Sequence, residues 1–208
     1  MNHDSSYMND TELKTPKTAR GLKTRNKLLD AAEKEFGEKG FHDGAISGIT
    51  QRAGVALGTF YTYFESKEAV FRALVEHMSN RTRTHVASRV AGAPDRLTAE
   101  REGIAAYIEL VRQNEDLYRI IMEAQFVAEE AYRAHYDRFA RAYQKNLTEA
   151  AGRGEIDPAH IEERAWALIG ISVFLGLQYG VWDKDKPAED VADAIDGFVR
   201  YGLDRQER

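Results

Sequence analysis

Apolar positions in this chain recur three and four residues apart along most of its length, the period of helices with one buried face. Leu28, Leu29, Ala32 and Phe36 predict a first amphipathic helix over residues 24–39. Gly40 stops it, and Phe41 folds back as the hydrophobic contact that follows such a stop. Ile46 and Ile49, then Val55, Phe60 and Phe64, repeat the period over two shorter stretches on either side of Ala53 and Gly54. A small residue lets two helices approach, and a glycine supplies the positive φ of a sharp turn, so residues 46–64 read as a helix-turn-helix. Ser66 is placed to cap the next helix, with Glu68 complementing its dipole and Val70, Phe71, Leu74, Val75 and Met78 as its buried stripe. That helix must end before Ala93 and Pro94. Further helices are predicted over residues 97–113, 117–126 and 131–151, then one capped by Asp157 with Pro158 at its first position, then one over residues 187–201. Nothing alternates with the two-residue period of a strand. The expected fold is all-α, with an arm over residues 1–19, a three-helix helix-turn-helix domain over 20–66 and a larger helical domain over 67–208.

Once Phe60 and Phe64 turn inward, Leu57, Gly58, Thr59, Tyr61, Thr62 and Tyr63 must point outward. A helix surface with no charge and two tyrosines is unusual in water, yet it suits the walls and base edges of a duplex groove. Threonine and tyrosine hydroxyls can donate to phosphate or base atoms, and a threonine methyl can pack on a thymine methyl. Lys67, one turn beyond, adds a charge that seeks phosphate. The net charge of −5 does not argue against this, because the charges are segregated. Lys14, Lys17, Arg20, Lys23, Arg25 and Lys27 follow one another without an intervening acid, whereas acids gather after Glu129. The local field is what attracts phosphate. The polar arm is expected to be disordered in the free protein, and its basic end can track phosphates or enter a minor groove. The absence of cysteine removes disulfide and thiolate-metal chemistry. No apolar run opens the chain as a secretory signal would, so a cytoplasmic location is expected.

At these residues the chain resembles a known family. Gly40 and Phe41, then the run ITQRAGVALGTFYTYFESKEAVFRAL, are similar to the DNA-binding domain of the tetracycline-repressor (TetR) family of bacterial transcription regulators. The RAGV turn, the GTFYTYF recognition helix and the SKE start of the next helix stand at that family's spacing. The resemblance covers residues 23–74, and beyond them only the all-helical pattern and the length agree. It implies that Thr59, Tyr61, Tyr63 and Lys67 hold the DNA backbone, while Leu57, Gly58 and Thr62 fall where bases are read. Family members often carry threonine or serine ahead of the second helix and a charged pair within it. Here Gly44, Ala45, Ile46, Ser47 and Gly48 stand there, which leaves Ser47 as that helix's candidate. Leu57 replaces a polar or basic residue and Thr62 a histidine or tryptophan, so readout is expected to lean on apolar contact and DNA shape.

The same resemblance implies a homodimer formed through the last two helices, which would read a palindromic double-stranded operator with recognition helices about 34 Å apart. Residues 165–182 are uncharged and reach the length of a membrane span. Ser172, Gln178 and the glycines within that run, with acids on both flanks, point instead to a buried helix, and no membrane association is expected. Ser172, Gly176 and Gly180 form a small-residue edge that a second helix can approach. The middle helices hold more aromatics than a small bundle needs for packing. Tyr107, Tyr118, Arg119, Met122, Phe126, Tyr136, Phe139 and Trp166 are candidates to line an effector cavity, with Gln125, His135 or Gln178 as further polar contacts. Plain core packing is the alternative for each. A small hydrophobic effector, an acyl chain or an aromatic compound, would then release a repressor from its operator, as is the family's majority habit. The six histidines show no metal-ligand spacing and no phosphate-cradling glycine loop appears, so no catalytic residue, cofactor or metal site is expected. A helical ligand carrier or scaffold that has lost operator binding is the alternative function.

Overall fold

The structure is a computed structural model that describes residues 16–203. Among the described residues the elements are α1 (Ala19–Asp43), α2 (Ile46–Ala53), α3 (Leu57–Tyr63), α4 (Lys67–Val90), α5 (Arg96–Gln113), α6 (Glu115–Val127), α7 (Glu129–Gly152), α8 (Ile161–Gly176), a π-helical turn (Leu177–Trp182) and α9 (Ala188–Leu203), with no strand. Residues 1–15 of the expected arm lie outside the described residues. The arm's end is already helical, because the Thr18 hydroxyl accepts from the Gly21 N–H at 3.1 Å and starts α1 ahead of the apolar pattern. Arg20, Lys23, Arg25 and Lys27 are therefore helical residues.

The axis of α1 breaks at Gly40, whose φ of 74° is open to a residue without a side chain. Two groups from elsewhere clamp the break. A Glu123 carboxylate oxygen from α6 accepts the Phe41 N–H at 2.8 Å. The Lys67 ammonium donates to the carbonyl oxygens of Phe41, His42 and Gly44 at 2.8, 3.1 and 3.1 Å. Phe41 itself is buried edge-on against Phe71, ring centroids 5.0 Å apart.

Two hydrophobic cores follow. The first unites α1, Ile49 and Ala53 of α2, Phe60 and Phe64, the first half of α4 from Ala69 to Met78, and Leu117, Ile120, Ile121 and Ala124 of α6. Apolar packing thus runs past the expected boundary at residue 66. The second core joins α5, α7, α8 and α9 through Ile104, Ile108, Leu147, Leu168, Val191 and Val199. Between them Arg81 of α4 donates to both Glu33 oxygens, at 2.7 and 3.2 Å, and to the Asn114 side-chain oxygen at 3.0 Å.

Helix α8 begins at Ile161, later than the Asp157-Pro158 signal predicts. Asp157 instead closes a turn by accepting the Ala159 N–H at 2.9 Å, and His160 takes the left-handed conformation with φ 56°. Arg164 secures the turn by donating to the Asp157 carbonyl at 2.7 Å. By length and composition the run Ile161–Trp182 is sufficient to cross a membrane. In this fold it packs on α5 and α7. Its small-residue edge faces α5, for a Cβ on Gly176 would lie 2.6 Å from the Tyr107 ring and one on Gly180 2.7 Å from Val111. Arg112 of α5 donates to the Tyr179 carbonyl at 2.8 Å and holds the π turn on the same neighbour. Phe174, Trp182, Phe198 and Tyr201 are left exposed on the last two helices and the turn between them.

Candidate nucleic-acid interface and effector cavity

Gly54 ends α2 in the left-handed region, φ 59° and ψ 44°, with its N–H directed to the carbonyls of Thr50 and Gln51. This is the sharp turn that delivers α3. Burial of Phe60 and Phe64 fixes the rotation of α3 about its axis, leaving Leu57 at 53% and Tyr61 at 51% exposure. Thr62 is exposed, and nothing lies within 4 Å of where a Cβ on Gly58 would be. Thr59 and Tyr63 are half-buried, and Tyr63 packs against the first core. Ser47 is exposed on α2. Lys67 stands at the edge of this surface with its ammonium engaged by the three carbonyls of the α1 break. A different positive charge reaches the turn, since the Lys27 ammonium lies 3.7 Å from where a Cβ on Gly54 would be.

Helix α2 has no side-chain cap of its own. Glu35 of α1 supplies one from a distance in sequence. Its fully buried carboxylate accepts the Ala45 N–H at 3.2 Å, the Lys39 ammonium at 2.8 Å and the Arg52 Nε at 2.9 Å. Burial alone would raise this carboxyl's pKa, but the bonds from Lys39, Ala45 and Arg52 outweigh it and hold the group below its ordinary range. Gly48 makes room, because a Cβ there would sit 2.2 Å from a Glu35 oxygen. Hydropathy gives no hint of Glu35. The absence of a capping side chain at Ala45 was the available signal, since an uncapped start asks for a donor's partner elsewhere.

In the second half a cavity of about 750 Å³ lies between α4, α5, α7 and α8. Of the expected lining residues Tyr107, Tyr136 and Phe139 form part of its wall, as does His135. Tyr118, Arg119, Met122, Phe126 and Trp166 lie outside it. Tyr118 is buried in packing, Arg119 is exposed, Met122 is half-buried, and Phe126 and Trp166 are 83% and 42% exposed. Gln125 and Gln178 are also outside the wall. The wall gains Tyr143, an aromatic outside the expected set, and Arg96, Glu100 and Ser172, which a count of aromatics passes over. A charged pair one turn apart at the head of an otherwise apolar stripe was the signal for Arg96 and Glu100. Burial pushes the Glu100 carboxyl up to about 7, against the pull of Arg96. Burial likewise lowers His135 to about 4, with Arg138 adding to the shift. The phenols of Tyr107, Tyr136 and Tyr143 are raised, chiefly by burial, and stay protonated donors.

Residues 28–74 match the model of the bacterial regulatory proteins of the tetR family. The HTH-type transcriptional regulator YdgC of Bacillus subtilis is 43% identical over 65 residues, 31% of this chain and 33% of that relative, so the chain matches a third of its length. The HTH-type transcriptional activator FasR of Mycolicibacterium smegmatis is 25% identical over 178 residues, 85% of this chain and 80% of the relative. Among solved structures, the transcriptional regulator FadR from Bacillus subtilis in complex with stearoyl-CoA is similar with a TM-score of 0.75 at 18% identity, over 86% of this chain and 98% of that one. At that identity the likeness is one of fold. These relatives are named as regulators of transcription and not as enzymes. Residues 28–74 thus carry the helix-turn-helix segment of the tetR family of bacterial regulatory proteins, and the chain shares its all-helical fold with a solved regulator over most of its length.

Proposed function

We propose that the protein is a ligand-responsive transcription regulator that binds a palindromic DNA operator as a homodimer and is released from it by a small hydrophobic effector, which makes it a repressor. The observation that carries this reading is the outward face of α3, uncharged and rich in hydroxyls, on a helix whose rotation is fixed by Phe60 and Phe64. Ser47, Leu57, Gly58, Thr59, Tyr61, Thr62 and Tyr63 form the operator face. Lys27 and the exposed basic residues of α1 supply phosphate attraction, and Lys67 holds the frame behind it. The exposed Phe174, Trp182, Phe198 and Tyr201 support a two-fold contact through α8 and α9. Tyr107, Tyr136 and Phe139 favour an apolar effector body, and an acyl chain is the first class to try because FadR, with a similar fold, was solved with stearoyl-CoA. Effector release requires that the ligand bind more tightly to the form whose head spacing no longer fits successive major grooves.

The test is enrichment of a random duplex pool on the purified protein at moderate salt, followed by sequencing of the retained DNA. A two-fold symmetric motif, lost in Thr59→Ala and Tyr61→Ala, is the expected result. The rival reading is a helical ligand carrier or scaffold without operator binding, and one observation favours it: the ammonium of Lys67 is already engaged by protein carbonyls. Retention of DNA without a motif would decide for that rival.

A further inference from the structure

The cavity wall is not a plain hydrocarbon surface: polar side chains line it from α4, α7 and α8, and a buried ion pair stands in it at the start of α5. Arg96 Nε lies 2.9 Å from a Glu100 oxygen, with the two side chains only 12% and 1% exposed. Glu100 is the one acid recorded against this guanidinium among the described residues. An ion pair buried in a wall contributes little net stability compared with apolar residues of similar volume, so folding alone gives weak reason for it. Beside the pair, Tyr143 is near enough to Glu100, Ser172 and Arg96 to feel all three. Ser172 is 92% buried by its 8% exposure, and its hydroxyl has no hydrogen-bond partner among the described residues. Three helices thus bring Arg96, Tyr143 and the unpartnered Ser172 hydroxyl to the wall of a cavity that Tyr107, Tyr136 and Phe139 also line.

We propose that the effector is an amphiphilic acid. Its carboxylate seats on the terminal N–H groups of Arg96 and accepts from the hydroxyls of Ser172 and Tyr143, and its hydrocarbon body lies along Tyr107, Tyr136 and Phe139. Glu100 is a positioning residue that holds Nε, leaving the outer fork of the guanidinium for the planar, two-oxygen head that it matches. Charge selects an anion over a cation. The wall carries Arg83 and Arg96 against Glu100 alone, so an acid completes the balance, whereas an amine would add a further positive charge. This inference rests on the effector reading above and narrows it from hydrophobic to acidic.

Calorimetric titration of the full-length dimer with decanoate, decanol, decylamine and decanoyl-CoA tests it. Decanoate is expected to bind about tenfold more tightly than decanol, as a charge-assisted hydrogen bond in a buried site provides. The paired neutral variant Arg96→Gln/Glu100→Gln should erase that preference, and Ser172→Ala should weaken decanoate while leaving decanol unchanged. If the paired variant does not fold, Ser172→Ala and Tyr143→Phe carry the test alone. Equal affinity for acid and alcohol, or a preference for the amine or the thioester, overturns the acidic head and leaves the hydrophobic effector standing. Failure of every probe to bind overturns both readings.

Discussion

Glu100 and His135 set opposing pH dependences within one cavity. Between the ordinary carboxyl value of 4.5 and about 7, the folded chain keeps a proton on Glu100 that the unfolded chain has lost. The stability from Glu100 is therefore complete below 4.5 and lost as pH rises through about 7. His135 works the other way. Unfolded imidazole takes up a proton below 6.5 that the buried ring accepts only near 4, so its contribution is present above 6.5 and lost as the pH falls through about 4. Each amounts to roughly 3 kcal/mol across its window. Urea unfolding of the parent should thus vary less over this range than that of either variant: His135→Phe should lose stability as pH rises, and Glu100→Gln as pH falls. Glu35 offers a second test. Glu35→Ala leaves the Ala45 N–H and the Arg52 guanidinium without their buried acceptor, a loss of about 2–4 kcal/mol in denaturant unfolding, and operator titration should show weaker binding because the start of α2 is released. At this scale the sequence was legible where a residue's role is local. Gly54 needs a positive φ for reasons contained in its own turn. The carbonyl partners of Lys67 were not legible, because they belong to the far end of α1 and no spacing rule connects the two.

Helices were legible where a cap and an apolar period agree, as at Ser66 for α4 and at Gly40 for the break in α1. They were misjudged where a start signal serves a turn equally well. Asp157 and Pro158 satisfy both, and only His160 with its positive φ and the bond from Arg164 decide for the turn. The cavity was partly legible for a related reason: periodicity says which face of a helix is turned inward, but not whether that face meets a neighbour or a void. Tyr107 and Tyr136 meet the void, while Phe126 meets solvent. The seam between α8 and α5 is close at Gly176, where a Cβ would lie 2.6 Å from the Tyr107 ring. Gly176→Ala would put a methyl into the Tyr107 ring, so a loss of about 1–3 kcal/mol is expected in thermal or urea unfolding. Because that ring is also cavity wall, effector affinity should fall in the same variant, whereas a substitution at Gly170, which has open space around it, should change neither.

For the whole molecule, the proposed two-fold contact through the exposed aromatics of α8 and α9 predicts that Phe198→Glu yields a monomer by sedimentation, with helical content kept and operator affinity reduced by far more than a substitution on another face of α9 would cause. Loss of the partner removes one of two half-site contacts, and the linked gain from having both is large. The composite first core has a consequence for anyone who would re-target such a regulator. Cutting the chain after α3 would strip Leu28, Phe36 and Phe41 of the cover that Phe71, Leu117 and Ile120 provide. The head is therefore no interchangeable cartridge, and grafting it onto another sensor would mean transplanting the inner faces of α4 and α6 along with it. If α3 reads the operator as proposed, specificity has to be rewritten on that helix, side chain by side chain, while the rest of the chain remains part of the floor on which it stands.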